Sequence, residues 1–244
     1  MSEKKVALIT GANKGIGLET ARQLGAQGIT ILMGARDEKR GTEAATQLQG
    51  EGVDAHFVHL NITDTATHAN VAKLIEDKFG KLDILINNAG VLLDYGVPVS
   101  AAPLANWRTT FETNVFSLIE LAQTLLPLIK KSDAGRIVNL SSILASLTLN
   151  RDPHSPIAAG AYFNTAYNAS KAALNMFTVH LANELKDTKI KVNAAHPGWV
   201  KTEMGGEAAP MEIVDGAKTS VALATLPEDG PTGAFIHLGE PLPW

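Results

Sequence analysis

The sequence predicts one α/β domain, a doubly wound and mostly parallel sheet with helices on both faces, and three observations predict it. Short apolar runs alternate with helix-like segments along nearly the whole chain, the pattern of parallel strands joined by helical crossovers. The runs are solidly apolar instead of alternating, as strands covered on both faces must be. The chain has 244 residues, 45% of them hydrophobic and 21 of them Gly, which suits one sizeable core better than two small ones.

Taken in order, residues 6–10 form the first strand, and a glycine-rich turn leads from it into a helical segment at 16–26. Strands follow at 30–33, 55–58, 84–86, 136–140, 191–194 and 234–237, giving a sheet of seven, mostly parallel. Between them, segments 37–49, 64–79, 104–129 and 166–185 carry apolar residues at three- and four-residue spacing. The stretch 147–160, with Asn150, Pro153, Pro156 and Gly160, and the stretch 197–210 lack either period. Irregular segments on a rigid scaffold are where binding residues concentrate, so both are expected to be lips of a pocket. The whole chain, 1–244, reads as a single domain, with candidate binding loops near 91–103, 143–165 and 197–210.

Composition excludes several function classes. A formal net charge of −4 leaves no basic footprint for nucleic acid. With no Cys there is no disulfide, thiolate nucleophile or Cys-based metal site, and the composition is compatible with a reducing cytoplasm. No apolar run approaches the roughly 20 residues that span a bilayer, and Met1-Ser2-Glu3-Lys4-Lys5 leads into a strand instead of a signal-peptide core. The expectation is a soluble, unprocessed cytoplasmic protein. His56, His154 and His196 are not spaced as metal ligands, and no metal is assigned.

Thr10-Gly11-Ala12-Asn13-Lys14-Gly15-Ile16-Gly17 follows the first strand and opens the first helix. Glycines there allow a tight turn and let a pyrophosphate approach N–H groups at a helix N-terminus, where the partial positive charge favours an anion. At the end of the second strand, an acidic residue suits the ribose 2′-hydroxyl of NAD, and an Arg suits the 2′-phosphate of NADP. Arg36 offers a planar fork for phosphate, with Arg40 one turn further on and Lys14 reaching from the glycine turn. Their convergence favours NADP(H). Asp37 keeps NAD open, since it meets the ribose if the register differs by two.

Tyr167 and Lys171 are four residues apart on a predicted helix, so a phenol and an ammonium share one face. A free phenol titrates near pH 10, and lowering it to about 7 beside a positive charge takes about 4 kcal/mol of differential stabilisation. Such a Tyr exchanges a proton with an alcohol or ketone at neutral pH.

With Asn87-Asn88-Ala89-Gly90, Asn114, Ser141-Ser142, Tyr167-Asn168-Ala169-Ser170-Lys171 and Pro197-Gly198 added to the glycine turn, the chain resembles the short-chain dehydrogenase/reductase family over nearly its full length. Gly11 to Gly17, Ala35-Arg36-Asp37 and the segment from His196 to Met204 are most similar to its NADPH-dependent carbonyl reductases. The resemblance implies a Rossmann fold and a tetrad of Asn114, Ser142, Tyr167 and Lys171. In it Tyr167 carries the proton, Ser142 fixes the substrate oxygen, and Lys171 favours the phenolate and binds the nicotinamide ribose. Asn114 holds a water linking Lys171 to solvent. It also implies cofactor contacts from Gly11, Asn13, Lys14, Gly15, Ile16, Gly17, Asn88, Ala89 and Gly90, and from Pro197, Gly198, Val200 and Thr202 on the nicotinamide side. Asn61 replaces the family's frequent Asp at the adenine, where an amide oxygen still accepts a hydrogen bond.

Leu92, Leu93, Tyr95, Leu144, Trp199 and Met204 lie on segments that ring the substrate, with Leu144 and Trp199 joining Ser142 and Tyr167 as the substrate contacts. The implied activity is NADPH-dependent reduction of a small, mainly apolar ketone or aldehyde. The alternatives are NAD-dependent alcohol oxidation by the same tetrad and a non-catalytic dinucleotide sensor. Some animal carbonyl reductases carry a long insertion before the catalytic Tyr that covers a dimer face. About a dozen residues stand there in this chain, so a homodimer or homotetramer through helices 104–129 and 167–185 is expected.

Overall fold

The computed structural model describes residues 4–158 and 164–244. Residues 1–3 and 159–163 lie outside the described residues, and with them part of the expected substrate loop 143–165, including Gly160. The strands are β1 (Val6–Thr10), β2 (Thr30–Ala35), β3 (Ala55–His59), β4 (Ile84–Asn87), β5 (Arg136–Leu140), β6 (Lys191–Ala195), β7 (Phe235–His237) and β8 (Glu240–Pro241). They form one sheet in the order β3-β2-β1-β4-β5-β6-β7-β8. Every pairing is parallel except β7 with β8. The expected seven-strand parallel sheet is therefore present, extended by a two-residue antiparallel strand too short to show a period.

The helices are α1 (Gly15–Gly25), α2 (Glu38–Gly50), α3 (Thr65–Phe79), α4 (Leu104–Phe111), α5 (Ser117–Ile129), α6 (Leu147–Arg151), α7 (Thr165–Glu184) and α8 (Ile213–Ala224). Alternate residues of each strand face opposite layers. Ala7 and Ile9 of β1 pack with Leu24 of α1, Leu48 of α2 and Leu223 of α8. Val6 and Leu8 pack with Ile75 of α3, Leu125 of α5 and Leu181 of α7. β1, β2, β4 and β5 are buried throughout, while His56 and His59 of the edge strand β3 face solvent.

Three segments differ from expectation. The long helix at 104–129 is two helices joined by a π turn at Glu112–Phe116 that contains Asn114. The irregular stretch after β5 holds α6, capped by Ser146 Oγ, which accepts from Leu149 N at 3.1 Å. Helix α8 was not expected at all. Gly216 weakens its pattern, yet a Cβ there would lie 2.6 Å from Val200 Cγ2, so packing excludes a larger residue.

Candidate active site

The sheet order turns back on itself between β1 and β4, and open α/β sheets bind ligands beyond the C-terminal ends of the strands at such a point. Thr10 Oγ1 accepts from Asn88 N at 3.0 Å and Ala89 N at 2.9 Å, while Asn88 Nδ2 donates to Thr10 O at 2.8 Å. These bonds lock the glycine turn to the β4 end. Gly11 has φ +64°, and a Cβ on Gly17 would lie 2.5 Å from Asn88 Nδ2 and 2.6 Å from Gly11 O. Lys14, the residue before α1, gives the helix no side-chain cap. The first N–H groups of α1 therefore have no side-chain acceptor at their cap, the chemistry a pyrophosphate needs. The residues present fit a dinucleotide.

The cation clamp is less simple than expected. Arg36 follows β2 directly and has no hydrogen-bond or ion-pair partner among the described residues. Arg40 Nε lies 3.7 Å from Asp37 Oδ2, and Lys14 pairs with Glu203, so two of the three cations already meet a carboxylate. Asp37 is the N-cap of α2, its Oδ1 accepting from Arg40 N at 2.9 Å. That bond ties Asp37 to the helix start, which removes the register argument for placing it on a ribose. Asn61 Oδ1 accepts from Thr63 Oγ1 at 3.2 Å and from Thr63 N at 3.4 Å, local turn contacts that engage both of its lone pairs and so compete with the expected adenine contact.

The four expected catalytic residues converge from α7, β5 and the π turn. Tyr167 and Lys171 are both buried on α7, and Lys171 Nζ lies 5.6 Å from the phenol ring centroid. Lys171 Nζ donates to Leu140 O at 2.7 Å, the last residue of β5. Burial pushes the Lys171 ammonium down to about 8. Burial pushes the Tyr167 phenol up to about 12, and a hydrogen bond with the Ser142 side chain opposes that rise. The expected depression toward 7 is thus absent from this structure, because desolvation disfavours the phenolate. The phenol is protonated at neutral pH with or without that rise, the form a proton donor needs. Ser142 also caps its own turn, its Oγ accepting from Leu144 N at 3.2 Å.

Asn114 is fully buried and its side chain is committed. Its Oδ1 accepts from Val91 N at 2.8 Å, and its Nδ2 donates to Val91 O at 2.9 Å and Ser170 Oγ at 3.0 Å. Ser170 Oγ in turn donates to Tyr167 O at 2.7 Å. The π turn, a geometry frequent at functional sites, thereby joins the segment after β4 to the Tyr helix. With both amide hydrogens used, the side chain braces the site, and only Oδ1 retains a lone pair for the implied water. A Cβ on Gly90 would lie 3.3 Å from Asn114 Oδ1 and 3.5 Å from Lys171 Nζ, so the three residues meet at one point.

Two contributors escaped the sequence reading. Asp94, fully buried, accepts from Ala166 N at 2.6 Å and so holds the first turn of α7 beside Tyr167. His196 Nδ1 accepts from Ile143 N at 3.2 Å and Gly198 N at 3.4 Å, joining the Ser142 turn to the Pro197-Gly198 turn. Its ring lies 4.7 Å from that of His237, whose Nδ1 bonds His196 O at 2.9 Å. Burial, with the nearby His237, drives His196 down to about 3, so the imidazole stays neutral and keeps its acceptor. The sequence marks His196 as the start of the carbonyl-reductase-like segment and as a residue without metal-ligand spacing, but its partners are backbone atoms that carry no residue signature.

Of the residues expected to ring the substrate, Leu93, Tyr95, Trp199 and Met204 are exposed, while Leu92 and Leu144 are half-buried. Val200 is buried, and a Cβ on Gly15 would lie 3.6 Å from the Thr202 methyl, which brings the 197–210 loop against the glycine turn. Among the described residues no cluster of three His, Asp or Glu side chains could hold a metal, and no helix is long and apolar enough to cross a membrane.

The chain matches the family model of the short chain dehydrogenases over residues 5–213. It is 34% identical to short-chain dehydrogenase/reductase 1 of Saponaria officinalis, over 100% of this chain and 97% of that protein. With the NADPH carbonyl reductase 1 of Mus musculus it shares 32% identity over 100% of this chain and 99% of the relative. Among solved structures, the NADPH-bound carbonyl reductase from chicken fatty liver has a TM-score of 0.86 at 29% identity, covering 99% of this chain and 100% of that one. Salutaridine reductase from Papaver somniferum has a TM-score of 0.83 at 30% identity, covering 95% and 99%.

Proposed function

The chain belongs to the short chain dehydrogenase family of oxidoreductases, in its carbonyl reductase branch, and from that premise we propose that it uses NADPH to reduce a small, mainly apolar ketone or aldehyde. The observation that carries this reading is the meeting of three buried groups, the Tyr167 phenol hydrogen-bonded to the Ser142 side chain with Lys171 Nζ 5.6 Å from its ring centroid.

NADPH, when bound, supplies the hydride. Tyr167 holds the proton that the carbonyl oxygen receives. The Ser142 hydroxyl orients that oxygen and the phenol together, so the proton has a short, fixed path. The phenolate left behind is stabilised by the Lys171 ammonium, which is still largely charged at pH 7 and is held in place by Leu140 O. Asn114 keeps α7 and the segment after β4 in register, and with them Tyr167 and Lys171. The glycine turn and the open start of α1 would hold the pyrophosphate, and Arg36 the 2′-phosphate. The apolar mouth formed by Leu93, Leu144, Trp199 and Met204 favours a substrate with little charge.

Arg36 without a competing carboxylate, and Asp37 committed to its cap, favour NADP(H) over NAD-dependent alcohol oxidation by the same tetrad. A dinucleotide sensor has no use for a protonated phenol beside the nicotinamide. A groove between α5 and α7, lined by Leu126, Phe177, His180 and Leu181, is where we place the homodimer or homotetramer contact. A chain without Cys suits the reducing cytoplasm, where we place the protein. Fluorescence titration with NADPH and NADH tests the cofactor assignment. NADPH tighter by about tenfold, or about 1.4 kcal/mol, supports it, and equal or tighter NADH overturns it.

A further inference from the structure

Among the three cations expected around the cofactor's 2′-phosphate, Lys14 has its carboxylate partner on the far side of the sequence. Its ammonium pairs with Glu203, 189 residues along the chain. The segment bearing Glu203 is braced from within. Lys201 N donates to Met211 O at 2.9 Å, Trp199 Nε1 to Gly205 O at 2.8 Å and Gly206 N to Thr202 O at 2.8 Å. Thr202 sits against Gly15 of the glycine turn, so the brace delivers the next side chain to Lys14. Arg40 also acts on Glu203, and the two cations together hold its carboxyl below the usual range, Lys14 contributing most. Glu203 therefore lies within the field of the cluster that would receive a phosphate dianion.

We propose that Glu203 is a specificity-determining residue, an internal anion that occupies Lys14 and must yield it to the 2′-phosphate of NADP(H). The inference rests on the NADP(H) reading of the site. A single ammonium cannot serve a carboxylate and a dianion equally, since its donors are few and the two anions repel. NADPH thus displaces Glu203 from Lys14, whereas NADH, with no phosphate there, leaves the pair closed. Glu203 lowers the preference for NADPH, and it joins the adenosine end of the site to the loop that carries Trp199 and Thr202.

The experiment is titration of wild type, Glu203→Gln and Glu212→Gln with NADPH and with NADH at low and high salt. Glu212 pairs with Lys201 on the neighbouring part of the same loop and controls for a general change of charge. Glu203→Gln is expected to bind NADPH up to about fivefold more tightly, the range of an exposed ion pair, with NADH unchanged and the gain shrinking in high salt. Glu212→Gln should leave the NADPH to NADH ratio at the wild-type value. Equal changes for both cofactors, or no change for either, overturn the inference. Failure of the NADP(H) reading is seen separately, in the ratio of the wild-type protein.

Discussion

Lowering the pH should destabilise this fold through His196, and the structure sets the size of the effect. The imidazole titrates near 6.5 when free and is driven to about 3 by burial, with His237 adding to the shift. An unfolded chain therefore takes up a proton below about pH 6.5 that the folded protein refuses until about pH 3. Stability is full above 6.5 and falls as the pH drops through that window. At about 1.4 kcal/mol per pH unit, the loss is about 2 kcal/mol at pH 5 and about 5 kcal/mol near pH 3. His196→Asn keeps an acceptor close to the Nδ1 position but does not titrate, so it should start less stable and lose less on acidification. Urea unfolding of both proteins at pH 7.5, 6.5, 5.5 and 5 reads the difference, and contributions from histidines other than its neighbour His237 cancel in the comparison. Parallel loss of stability in the two proteins would refute the reasoning, since it would mean that His196 is not the group being forced to charge.

Three further outcomes follow from the geometry. Arg36→Ala should weaken NADPH by about tenfold to a hundredfold, the worth of a charge-assisted hydrogen bond, and leave NADH nearly unchanged in the same titration. Gly17→Ala places a methyl 2.5 Å from Asn88 Nδ2, so it should lower stability by about 1–3 kcal/mol and weaken both cofactors alike, as read by thermal unfolding and titration. Asn114→Ala leaves the Val91 N–H and C=O without their side-chain partner, while the Ser170 hydroxyl keeps Tyr167 O, which should cost about 2–3 kcal/mol of stability and lower kcat more than it raises KM.

Most of the sheet was legible because its strands are buried on both faces and read as mainly apolar runs, such as VALIT in β1 and TILMGA in β2. The clustering of Tyr167, Lys171, Ser142 and Asn114 was legible because Tyr167 and Lys171 share a helical face and the family's motif points to Ser142 and Asn114. Other features had no local pattern. The π turn around Asn114 changes hydrogen-bond register without any marker residue, and α8 carries a glycine that packing against Val200 demands. The Lys14 and Glu203 pair and the His196 bonds join distant segments, so only the folded chain brings them together. Asp37 was the legible signal that went unread. An Asp before a helical period is an N-cap, which already argued against its placement on a ribose.

The most direct measurement follows deuterium from labelled NADPH into small apolar ketones and aldehydes, with wild-type protein and with Tyr167→Phe. The account predicts that wild type places the label on the carbinol carbon of the product alcohol. It predicts that Tyr167→Phe, which binds the cofactor but has no phenolic proton, transfers almost none. Undiminished transfer by Tyr167→Phe, or no transfer by a wild-type protein that binds NADPH, would contradict it.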